Sequence, residues 1–186
     1  MQVRILGPLE VASNGELVPL GGPKQRLVLT ALAVRLGQVV STDELVEAGW
    51  GDDLPANPTN TLQYQVAQLR KVIEPDPSDP RYLITAKPGY LLDADMVTTD
   101  AALFAKMVTT ARDAFADGDT DRAQASIDDA LGLWRGPALA EFDDLDFARS
   151  EAGRLEADRV EAIELQIDIA LAQGRHAEVT ARLGQL

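Results

Sequence analysis

The chain has 186 residues, 46% of them apolar, with no cysteine, one histidine and a net charge of −13 at pH 7. That length suits one or two cores of ordinary domain size, while the missing cysteines exclude disulfides, thiolate metal sites and a cysteine nucleophile, and a lone His176 argues against His-based zinc sites and Ser-His-Asp chemistry. No segment reaches the roughly 18 uncharged apolar residues needed to span a bilayer, and Arg4, Gly7 and Pro8 interrupt the opening before a signal-peptide core can form, so a cytoplasmic protein is expected.

Residues 3–6, 9–12 and 17–20 read as short strands, the last two joined by Asn14-Gly15, a pair that accepts the positive φ of a tight hairpin turn. Pro23 suits a first helical position, and Leu27, Ala31 and Val34, with Leu32 and Leu36, form an apolar stripe that Gly37 is expected to end as C-cap. Ser41-Thr42-Asp43-Glu44 is a capping box for a short second helix reaching about residue 49. Asn57-Pro58 starts a third helix over residues 58–73, which Pro75 stops.

At 100° per residue, Leu62, Val66, Leu69 and Ile73 of that helix fall on one buried side. The other side carries Asn60, Tyr64, Ala67, Gln68 and Lys71, flanked by Thr61, Gln63, Gln65 and Arg70, without an acid among them. Asn and Gln amides can pair bidentately with adenine, and Arg and Lys can serve guanine or phosphate, so this pattern points to major-groove reading. The overall charge opposes that reading, but most of it lies elsewhere: residues 1–95 hold 8 basic and 12 acidic side chains, residues 96–186 hold 9 and 18. Beyond Pro80, strands over 81–85 and 90–93 enclose Ala86-Lys87-Pro88-Gly89, a hairpin with a cation at its tip. Three helices followed by such a hairpin predict a winged helix-turn-helix, with Lys87 beside the minor groove or a phosphate.

From Asp100 onward the pattern turns to alanine-rich helices, over about 100–116, 120–134, 146–173 and from 175. Gly118, Ala123, Ile127, Ala130 and Leu131 have the spacing of a tetratricopeptide helix pair, and Gly174, Val179, Leu183 and Leu186 repeat its first four positions. The expected fold class is therefore an α+β winged helix-turn-helix domain over 1–95, followed by an all-α tetratricopeptide-like domain over 96–186 whose array continues past the last residue. The first domain is expected to fold alone.

GPLEV at 7–11, GPKQRLVLTAL at 22–32, VVSTDELVEAGWGDDLP at 39–55, NTLQYQVAQLRKVI at 60–73 and KPGYLL at 87–92 together resemble the OmpR-type domain of the Streptomyces antibiotic regulatory protein family. LWRGPAL at 133–139, FARSEAGRLEADRVEAIE at 147–164 and ALAQGRHAEV at 170–179 resemble the bacterial transcriptional activator domain, its usual neighbour in that family. The resemblance implies that residues 58–73 are the recognition helix; on the open side and hairpin tip read above, the residues expected to bind promoter DNA are Asn60, Thr61, Tyr64, Gln68, Arg70, Lys71 and Lys87. It further implies that residues 50–56 match the segment facing RNA polymerase, where Asp52, Asp53 and Leu54 are the contact candidates, Trp50 packing beneath. Ala67 and Val72 depart from the family pattern, which commonly has Ser or a basic residue there. The second half is expected to mediate homodimer contacts on DNA or regulation.

Other motifs do not carry chemistry. Asp117, Asp119 and Asp121 lack the glycine and glutamate of a calcium loop, Asp143, Asp144 and Asp146 suit a helix start, and Gly21-Gly22-Pro23-Lys24 lacks phosphate-loop spacing. No catalytic residue, metal or cofactor is expected. The expected function is sequence-specific transcriptional activation by recruitment of RNA polymerase; the alternative is an interaction scaffold whose winged helix no longer binds DNA.

Overall fold

Three short strands open the computed structural model, which describes residues 1–51, 53–177 and 179. Strand β1 (Gln2–Arg4) pairs antiparallel with β2 (Glu10–Ser13), and β2 with β3 (Glu16–Leu17). Asn14 at φ 52° and Gly15 at φ 86° make the hairpin turn between β2 and β3, as that dipeptide predicts. Helices α1 (Pro23–Val34), α2 (Thr42–Trp50) and α3 (Pro58–Ile73) follow. Between the first two, β4 (Val40–Ser41) forms a three-stranded sheet with a hairpin of β5 (Leu83–Ala86) and β6 (Gly89–Leu92), β6 lying in the middle. Only glycine fits at 89, because a Cβ there would collide with the backbone of Val40 and Ser41 across the β4–β6 pair.

Helix α1 ends at Val34 with Arg35 as its C-cap, short of the Gly37 cap expected from sequence. Gly37 instead occupies the left-handed region at φ 77° and donates its N–H to the Leu92 carbonyl at 3.0 Å, tying the α1–β4 turn to the hairpin.

The second half is helical: α4 (Asp100–Ala116), α5 (Thr120–Leu131) and α6 (Asp146–Ala172). Gly118 at φ 81° turns the chain between α4 and α5, and fully buried Ala111, Ala123 and Ala130 are small enough to let the helices lie close. In α6, Ala148, Leu155, Ala162 and Ile169 are buried at intervals of seven residues, two turns of one face. This agrees with the tetratricopeptide-like expectation, whose last two positions, Leu183 and Leu186, lie outside the described residues. No helix among the described residues is long and apolar enough to cross a membrane.

The halves are joined by a polar seam rather than a loose linker. A two-residue strand, β7 (Thr98–Thr99), adds to β1 in parallel as the fourth strand of the first sheet. Next to it, the Asp100 carboxylate is 1% exposed and accepts the N–H groups of Ile5 at 2.7 Å and Leu6 at 3.0 Å. The segment after α5 returns to the same place: Arg135 N–H donates to the Leu6 carbonyl at 2.8 Å and Leu139 N–H to that of Ile5 at 3.0 Å. The Arg135 guanidinium meets Asp100 at 3.4 Å and Glu10 at 3.1 Å. Glu141 accepts from Leu9 N–H at 2.7 Å and from Arg26 on α1 at 2.6 and 2.7 Å, which holds its carboxyl below the usual carboxylate range. GPLEV and LWRGPAL are thus the two lips of one seam.

Candidate nucleic-acid interface

Helix α3 has the bounds its sequence predicts, with Asn57 accepting the N–H of Asn60 at 3.2 Å as N-cap and Pro58 at the first helical position. Its buried residues are Leu62, Val66, Leu69 and Ile73. They press on α1 and α2, so the helix can turn only its opposite side outward. Asn60, Tyr64, Ala67 and Lys71 lie exposed there at spacings of four, three and four, with Gln63 exposed beside Tyr64, which is 60% exposed. Gln68 and Thr61 are half-buried at the borders, the Thr61 hydroxyl donating to the Asn57 carbonyl at 2.9 Å. Gln63, read from sequence as a flank, belongs to the open stripe.

Arg70, on the flank of the helix, turns toward the hairpin. Its Nε and Nη2 donate to the Leu83 carbonyl at 3.0 and 2.7 Å, and Nη2 also to the Thr85 hydroxyl at 2.9 Å, so its guanidinium lies on the hairpin. One turn further, the helix C-cap Glu74 is 7% exposed, and its carboxylate accepts the N–H groups of Arg81, Tyr82 and Leu83 at 2.7 to 3.1 Å. Sequence reading passed over Glu74; an acid between the end of an amphipathic helix and a Pro-rich turn was the only available signal. The hairpin tip is held from the other side, where Thr42 at the start of α2 donates its N–H and hydroxyl to the Pro88 carbonyl at 3.2 and 3.1 Å. Lys87 stands exposed at that tip.

The cations of the first half divide sharply. Arg4 pairs with Glu10, Arg26 with Glu141, Arg35 with Glu44 and Arg81 with Asp79. Arg70 is on the hairpin, and Lys24 donates to the Gly49 carbonyl at 2.5 Å with its ammonium 5.6 Å from the Trp50 ring centre. Lys71 and Lys87 are exposed and make no ion pair among the described residues. The capping box is formed, Ser41 Oγ accepting from Glu44 N–H at 3.2 Å and Glu44 accepting from Ser41 N–H at 3.0 Å. Hydrogen bonding from Arg35, and then from Ser41, lowers the Glu44 pKa from 4.5 to about 2.

In the α2–α3 loop, Trp50 is half-buried under Lys24, while Asp53 and Leu54 are exposed, Leu54 by 58%. Asp52 lies outside the described residues.

Residues 15–92 match the family described as transcriptional regulatory protein, C terminal, and residues 99–186 match the bacterial transcriptional activator domain. The chain is 34% identical over 192 residues to the regulatory protein DnrI of Streptomyces peucetius, covering all of this chain and 71% of DnrI. It is 33% identical over 186 residues to the regulatory protein AfsR of Streptomyces griseus, of which it spans 18%. The solved structure of Mycobacterium tuberculosis EmbR, in complex with a low-affinity phosphopeptide, superposes with a TM-score of 0.92 at 34% identity over 99% of this chain and 49% of EmbR. The winged helix and the helical array therefore recur together in that structure, in the same order and mutual arrangement.

Proposed function

The chain belongs to the Streptomyces antibiotic regulatory protein family, and on that basis we propose that it is a sequence-specific DNA-binding regulator that activates transcription. The observation carrying this reading is the division of cations: Lys71 and Lys87 stand exposed on α3 and the hairpin tip with no ion pair among the described residues, while the other basic side chains of the first half each have a carboxylate or carbonyl partner. Phosphate contacts supply affinity and orientation, base edges supply sequence, and the acid-free stripe of α3 offers groups for both.

In this reading α3 lies in the major groove with Asn60, Thr61, Tyr64 and Gln68 toward base edges and Lys71 toward the backbone, and Lys87 meets the minor groove or a flanking phosphate. Residues 1–95 form the DNA-binding unit and residues 96–186 the unit for dimer contacts or regulation. Asp53 and Leu54, exposed beside α3, together with Asp52, form the surface offered to RNA polymerase. The protein works in the cytoplasm, on promoter DNA, and no catalytic step is assigned to it.

Sequencing the genomic DNA that the protein retains tests the first part: one shared motif is expected, and fragments without any common sequence would overturn specific binding. Changing Asp52, Asp53 and Leu54 together to Ala tests the second. Operator affinity should stay within about threefold, a difference below about 1 kcal/mol, while transcription in a reconstituted assay falls sharply; equal loss of both would make the loop part of the DNA interface.

A further inference from the structure

The peptide of Leu83 is gripped from both sides by the last turn of α3: Glu74 takes its N–H at 2.7 Å and Arg70 takes its carbonyl oxygen at 2.7 and 3.0 Å. Leu83 starts β5, which pairs with β6 from Leu83↔Leu92 to Ala86↔Gly89, and Lys87 follows directly. The recognition helix and the tip cation are therefore connected through four residues of paired strand. A guanidinium suits this grip, since its planar fork reaches the Leu83 carbonyl with two nitrogens and the Thr85 hydroxyl with one of them, and a single ammonium cannot reproduce that pattern. Two of the three guanidinium nitrogens are committed to the hairpin and hold the group on β5, whereas Lys71, one residue on, is exposed.

We propose that Arg70 is a positioning residue for DNA binding: it acts through the hairpin, fixing where Lys87 stands relative to α3, and does not itself touch DNA. This rests on the DNA-binding reading above and assigns Arg70 a role different from that of its helix neighbours.

The test is a cycle of four full-length proteins, the parent, Arg70→Gln, Lys87→Ala and the double variant, titrated on the retained operator across a range of salt, with thermal unfolding run beside it. Removing one phosphate interaction lowers the slope of log affinity against log salt by about 1. If Arg70 works through Lys87, each single variant lowers the slope by about 1 and the double variant by no more than either. If Arg70 touches phosphate itself, the two effects add to about 2, and the proposal fails. Arg70→Lys keeps the charge without the fork: it should bind like Arg70→Gln, and binding like the parent would equally overturn the proposal, including in the case that Arg70→Gln does not fold. An unchanged slope for Lys87→Ala alone would remove the interaction that the grip serves and sink the proposal while leaving DNA binding standing. A parent without salt-dependent specific binding would instead overturn the DNA-binding reading, and this proposal with it.

Discussion

Tyr64 shows what distinguishes a reading residue from a structural one. It is large and amphipathic, and it stands 60% exposed in the middle of a helix whose other long apolar side chains, Leu62 and Leu69, are fully buried. It makes no hydrogen bond or ring contact among the described residues, so its replacement should cost the protein little stability. Tyr64→Ala and Gln68→Ala are each expected to change the preferred base at one operator position, Gln68→Ala by about 1 to 3 kcal/mol for the bidentate amide pairing removed, while leaving affinity for unrelated DNA as it was. Binding-site selection with each variant checks this. Glu44 is the reverse case, a surface acid with a structural task. Its folded pKa is lowered from 4.5 to about 2, so its contribution is present above about pH 4.5 and is lost as pH falls through about 2. Glu44→Gln keeps a side-chain acceptor in the capping box but does not titrate, so urea denaturation should show a smaller loss of stability between pH 4.5 and 2 than in the parent.

At the scale of elements, the N-terminal cap of α2 bears on the hairpin as well as on the helix, because Ser41 also pairs with Gly89 in the β4–β6 ladder. Ser41→Ala should cost about 1 kcal/mol of stability by loss of the cap, measurable as a lowered denaturation midpoint, and should leave the DNA salt slope unchanged. How far the elements were legible in the sequence follows the same logic. Helix α3 was readable to its bounds and its buried stripe because Asn57-Pro58, four apolar residues at helical spacing and Pro75 are all local signals. The end of the strand read at 3–6 and the start of the one read at 81–85 were misplaced for one physical reason: a buried carboxylate, Asp100 in one case and Glu74 in the other, collects N–H groups that a strand ladder would otherwise use. Strands β4 and β7, at two residues each, are too short to show any period. The stripe of α3 was visible as a set of residue types, but the role of Arg70 was not, since helical angle alone sets it beside the open face and only the folded hairpin supplies the Leu83 carbonyl.

For the whole molecule, the seam bears on how signals would pass between its halves. Residues 1–95 carry the winged helix but omit β7, Asp100, Arg135 and Glu141, so that fragment loses the carboxylate bonds to the Ile5 and Leu6 N–H groups and opens that edge to water. The expectation that this unit folds as a free domain is accordingly sharpened: the fragment should be measurably less stable than the same residues in the full chain, with hydrogen exchange at Ile5 and Leu6 accelerated first. Asp100→Asn in the full chain should produce a milder version of the same change. A helical half bonded this closely to the first sheet can bias the placement of α1, through Arg26 and Glu141, and hence of the helix packed on it. All of this presupposes that an acidic protein binds DNA through two exposed lysines on α3 and the hairpin. The most direct measurement is the salt dependence of operator affinity for the parent and for Lys71→Ala with Lys87→Ala combined. Specific binding by the parent is expected, with a slope reduced by about 2 in the double variant; an identical slope in both would show that these lysines do not meet DNA and would contradict the assignment of the interface.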